Sequence, residues 1–69
     1  MELTAVLIRD EQGGFTAMNP ETGSTTQGDT VEKALENLCE ATELYLEEFP
    51  LKTKGKALLT TIEVRPSAA

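Results

Sequence analysis

Histidine and tryptophan are absent from this chain, and cysteine and tyrosine occur once each. Each absence removes a class of function. Without histidine, the side chain that most often performs acid–base work near neutral pH is missing. One cysteine, Cys39, forms no internal disulfide, and a single thiol without histidine does not make a structural zinc site. No apolar run approaches the ~18 residues of a membrane span. The opening residues, Met1 to Asp10, show neither a basic leader nor a small-residue cleavage site. A cytoplasmic chain with a reduced thiol is therefore expected. Basic residues are also scarce: six against twelve acids give a formal charge of -6. Such a chain is repelled by phosphate backbones, so no direct nucleic-acid binding is expected, whereas a basic protein is favoured as partner.

At 69 residues there is room for one domain, placed at residues 1–66, with 67–69 as a frayed tail. A domain of this size hides only about 60% of its unfolded surface. Small domains make up the deficit with disulfides, metals or association. The first two are removed above, so a homodimer or larger oligomer is expected.

Leu3 to Asp10 is aliphatic and β-branched and predicts a strand. Gly13 and Gly14 supply the positive φ angles of a tight hairpin turn, and Phe15 to Met18 continues as a second strand. Asn19-Pro20 opens another turn and Gly23 ends it. Ser24 to Gln27 fits a third, edge strand. After Gly28 a helix begins. Asp29 with Glu32 matches a capping pattern, and Thr30 is the alternative cap. Val31, Leu35, Leu38, Thr42, Tyr45 and Phe49 recur at spacings of three and four, which predicts one buried stripe flanked by Ala34 and Ala41. Glu36, Glu40, Glu43 and Glu47 fall on the opposite face. Pro50 ends the helix, and Lys52, Lys54 and Lys56 follow near its negative end. Ala57 to Val64 predicts a final strand. One helix covers only one side of a sheet. Yet both faces of the first and last strands are partly apolar, so the uncovered face, or the edge of the last strand, is expected to meet another protein surface.

The ordered set of motifs resembles the HicB family of small prokaryotic proteins. It consists of Gly13-Gly14-Phe15, the turn from Pro20 to Gly23, then Gln27-Gly28-Asp29-Thr30, and Glu32, Ala34, Glu40 and Ala41 in the helix. It covers Met1 to Glu48. The resemblance implies an α+β fold of partial, degenerate RNase H-like topology, β-β-β-α-β. A three-strand antiparallel meander carries one helix on one face, and the last strand is added to the sheet. It also implies an antitoxin role, the binding and neutralising of a small basic mRNA-cleaving toxin of the HicA kind. Many such proteins carry a C-terminal DNA-binding domain. No residues remain here for one, so operator binding is not expected of this chain. The family's usual Pro-Gly-Cys turn is Thr22-Gly23-Ser24 in this sequence.

An enzyme is not expected. A metal-dependent nuclease of RNase H type needs carboxylates that converge on two ions about 4 Å apart. Asp10 beside a turn, the outward helix glutamates and Glu63 on the last strand offer no such convergence. No cofactor is expected either, since no glycine-rich turn leads into a helix with a following lysine. Cys39, at the border of the stripe, is expected to pack as a small hydrophobe. The acidic face of Glu36, Glu40, Glu43 and Glu47 is either a solvated surface or the landing surface of a basic partner. Two functions are carried forward: an antitoxin-like binding domain, and a stand-alone homo-oligomeric scaffold or sensor. A degenerate nuclease is the disfavoured third.

Overall fold

A computed structural model describes residues 1–51 and 55–67. Three strands, β1 (Val6–Arg9), β2 (Phe15–Met18) and β3 (Thr25–Gly28), precede one helix, α1 (Val31–Glu48). The strands form an antiparallel meander in the order β1-β2-β3. The architecture is α+β, a three-strand sheet with one helix packed on it.

The first hairpin turns on Asp10 to Gly14. The Gly13 amide donates to the Asp10 carbonyl (3.1 Å), and the Asp10 amide to the Gly14 carbonyl (2.8 Å). This is a three-residue loop whose last residue lies in the left-handed region, and Gly13 takes it with φ 100°. Gly14 has no positive φ, which corrects the expectation for that residue. Its small size serves close approach instead, since a Cβ there would stand 3.1 Å from the Gly28 carbonyl oxygen. In the second turn Gly23, with φ 82°, closes on Asn19 by donating its amide to the Asn19 carbonyl at 2.7 Å.

Register sets the two faces. Leu7 pairs with Ala17 and Arg9 with Phe15, while Ala17 pairs with Thr26 and Phe15 with Gly28. Directly paired residues share a face. Ala17 forms the core with Ala34 and Leu38, and Phe15 packs against it. That face lies under the helix. Val6, Ile8, Thr16, Met18, Thr25 and Gln27 line the other.

Thr30 is the N-cap: its side chain accepts the Lys33 amide at 3.0 Å. This settles the alternative in favour of Thr30, and Asp29 precedes the cap. The helix lies very close to β3. A Cβ at Gly28 would overlap the backbone of Ala34, and the Thr26 hydroxyl donates to the Ala34 carbonyl at 3.0 Å.

Further expectations are corrected. First, the buried stripe runs through Ala34, Leu38 and Thr42, whereas Val31, Leu35 and Phe49 are exposed. The close contact at Gly28 admits only a small side chain at the centre, which turns the large residues to the flanks. Second, Cys39 is exposed. It sits on a flank of α1 that no strand covers, since the helix packs on β3 and β2. Third, the first strand begins at Val6, not Leu3. The backbone of Thr4 is occupied by the side chains of Glu21 and Asn19 in place of a ladder partner. Fourth, Ala57 to Val64 is in no strand, and among the described residues the sheet has three members. The first amide of the segment is taken by the Glu21 carboxylate, and Leu58, Leu59, Ile62 and Val64 find no cover among the described residues. Lys52 and Lys54 lie outside the described residues. Lys56 pairs with Glu2 at 3.2 Å and not with the helix end.

Candidate functional site

The acidic face of α1 is built by spacing alone. Steps of four, three and four keep Glu36, Glu40, Glu43 and Glu47 in one row on a helix of 3.6 residues per turn. All four are exposed. Lys33 is the one base on the helix, 3.6 Å from Glu36. An exposed pair of this kind contributes little, and the row keeps its negative field. The last turn of α1 holds no basic residue. The expected row is therefore present as one continuous surface, remote from the sheet.

Gly13, Gly14, Phe15, Gly28, Asp29 and Thr30 come together at the opposite end of the fold from the helix C-terminus. The first hairpin meets the β3–α1 junction there. Asp10, Glu11, Gln12, Gly14, Gln27, Gly28 and Asp29 line an open hollow. Asp10 accepts the Thr16 hydroxyl at 3.0 Å, and Arg9 lies over the Phe15 ring, 5.4 Å from its centroid. Among the described residues no three His, Cys, Asp or Glu side chains approach closely enough to hold a metal ion. Glu63 is on the exposed C-terminal stretch and is not among the residues that line the hollow.

Pro20 and Gly23 belong to a third group, centred on Asn19 and Glu21, of which the sequence marked Asn19 as a turn residue alone. Asn19 is 1% exposed. Its amide nitrogen donates to the Thr4 carbonyl and to Glu21 Oε1, both at 2.7 Å. Its oxygen accepts the Thr22 amide (2.8 Å) and hydroxyl (2.6 Å). Glu21 accepts the Thr4 amide at 2.8 Å, the Thr4 hydroxyl at 2.7 Å, and the Ala57 amide. The backbone amide of Thr4, followed by that of Ala57, holds the Glu21 carboxyl down from 4.5 to about 2. The group ties the N-terminal stretch, the second turn and the start of the C-terminal stretch together. Its signal in the sequence was Asn19-Pro20-Glu21-Thr22-Gly23, a run whose side chains bond their own backbone.

Two further features bear on what the surface does. Thr42 Oγ1 is buried with no hydrogen-bond partner among the described residues. Leu7, Ile8, Leu35, Leu44, Leu58, Leu59, Ile62 and Val64 are exposed. No helix among the described residues is long and apolar enough to cross a membrane.

Residues 3–67 match the model of a family of unknown function, DUF7387. A UPF0150 protein of Helicobacter pylori is 35% identical over 69 residues, covering 93% of this chain and 96% of that protein. The UPF0150 protein ssr1765 of Synechocystis is 44% identical over 47 residues, covering 67% of this chain and 60% of that protein. No solved structure matches.

Proposed function

The chain belongs to the DUF7387 family of unknown function, and on that premise we propose that it is a non-enzymatic, antitoxin-like binding domain for a small basic ribonuclease. One observation carries this reading. Glu36, Glu40, Glu43 and Glu47 form an exposed acidic row on the helix face away from the core. A row of one sign steers a basic partner and fixes its register. The resemblance to HicB supplies the partner's class, an mRNA-cleaving toxin of the HicA kind. It also supplies the RNase H-like topology, of which the three-strand meander and helix supply the first four elements in order. The prokaryotic setting implied by the resemblance fits a cytoplasmic protein.

The test has two parts. A tagged chain is recovered from its own cells at low salt, and any small basic protein bound to it is assayed for RNA cleavage with and without this chain. Inhibition at stoichiometric amounts is expected. Reversal of Glu36, Glu40 and Glu43 to Lys is then expected to lower the association rate at least tenfold at low salt and to flatten its salt dependence. An unchanged rate at low salt removes the acidic row from the reading.

A second reading, a homo-oligomeric scaffold or sensor without a toxin, is favoured by the exposed aliphatic side chains of β1 and of the C-terminal stretch. Recovery of the tagged chain with untagged copies of itself alone would favour this reading.

A further inference from the structure

The C-terminal stretch and the open edge of β1 have complementary needs. Leu58 is 95% exposed, Ile62 79% and Val64 73%. By strand alternation they share one face with Thr60. Ala57, Leu59, Thr61 and Glu63 make the other. This is a β-branched, aliphatic strand sequence with no ladder.

Among the described residues β1 has a ladder on one side only. The Asp10 amide bonds the Gly14 carbonyl, which fixes the alternation. Ile8 directs its backbone groups to β2, and Leu7 and Arg9 direct theirs outward. The other edge of the sheet is different. At β3 the Asn37 side chain donates to the Gln27 carbonyl at 2.8 Å, so α1 covers that edge. The flank of α1 opposite Asn37 carries Leu35 and looks toward β1. There Leu7 is 39% exposed on the helix side of the sheet, and Ile8 is 55% exposed on the other. A strand laid along β1 would find apolar surface on both of its faces.

The whole-molecule dimensions show that this surface is not hidden within one chain. A compact chain of 7.5 kDa exposes roughly 4,200 Å². This one exposes 5925 Å². Its radius of gyration is 14.2 Å and its longest extent 45 Å, against about 11 Å expected for the radius of a compact chain of this length. The excess surface is on the order of 1,700 Å² per copy. Hidden on two copies, it falls within the roughly 2,000–5,000 Å² of an obligate dimer interface.

We propose that Ala57–Val64 is a strand supplied to the open β1 edge of a second copy of this chain, with the exchange reciprocal. Leu58, Ile62 and Val64 then pack beside the partner copy's helix-side surface, and each sheet gains a fourth strand. The Glu21–Ala57 hydrogen bond holds the root of the exchanged segment at Thr4, just before β1. This inference deepens the self-association of the second reading and does not depend on a toxin.

The experiment is light scattering on the full chain, paired with amide hydrogen exchange. The wild type is expected at twice the chain mass, with slow exchange at Leu7, Arg9 and every second residue of Ala57–Val64. The double variant Thr61→Pro with Ile62→Pro removes a ladder donor whichever of the two amides faces β1; both positions are exposed, so the fold of one copy should stand, with unchanged helical circular dichroism. It is expected to halve the mass and to restore fast exchange at Leu7 and Arg9. Leu44→Glu, on the exposed helix surface, is expected to change neither. Three results would overturn the proposal: a monomeric wild type at high micromolar concentration, slow exchange of these amides in a monomer, or a dimer that survives the double proline variant. Raised salt separates this test from that of the toxin. Two copies each of charge -6 associate more tightly when screened, and an acidic row binds a basic partner less tightly.

Discussion

Asn19 and Glu21 join three stretches of chain that have no strand pairing with one another. Asn19 has each side-chain polar atom in use, as a buried amide requires. Glu21 gives the domain an acid sensitivity of predictable sign. Its carboxyl is held down at about 2 from 4.5, so its contribution to stability is complete above 4.5 and disappears as pH falls through about 2. The melting temperature is expected to fall across that interval, and Glu21→Gln should show a shallower decline over the same pH range. Equal slopes would assign acid unfolding to other carboxylates. Asp29 and Thr30 were equal candidates for the cap, because either side chain suits the position. The difference is one of backbone direction: Thr30 is extended, with φ -128° and ψ 163°, and aims its hydroxyl at the Lys33 amide.

At the scale of elements, the seat of α1 on β3 depends on Gly28. Gly28→Ala would force a methyl group into the backbone at Ala34, and overpacking of this kind costs about 2 kcal/mol. An unfolding free energy lowered by that amount in a urea titration, with fast-exchanging amides in the first turn of α1, is the expected result. The helix, its amphipathic split and its acidic row were all legible in the sequence. They follow from a period of 3.6 residues and do not depend on what the helix touches. Its rotation about its own axis was not legible. Hydrophobicity pointed to Val31, Leu35 and Phe49, whereas close approach selected Ala34. A ranking by apolarity places the largest side chains inward. A glycine on the facing strand reverses that, since two backbones draw together where neither carries bulk. The hairpin was legible too, but Gly13 and Gly14 serve different needs that sequence does not separate.

For the molecule as a whole, the exposed C-terminal stretch makes stability a property of concentration. If it is hidden by a second copy, mass action raises the melting temperature as protein concentration rises. A tenfold dilution is therefore expected to lower the melting midpoint, and a midpoint independent of concentration would mark a domain that stands alone. The acidic row is a separate surface, so both interactions fit one copy at once. The sequence by itself determined the elements that close locally: two hairpin turns, the meander and an amphipathic helix with its acids outward. These depend on glycine conformations, on a two-residue or 3.6-residue period, and on neighbours a few positions away. Only the tertiary structure decided which helix residues face the sheet, that Asn19 and Glu21 bind Thr4 and Ala57, and that Ala57–Val64 lies outside its own sheet. Those outcomes depend on the footprint of one helix over three short strands. Covering β2 and β3, it leaves β1 bare, and no local pattern records which strand a helix fails to reach.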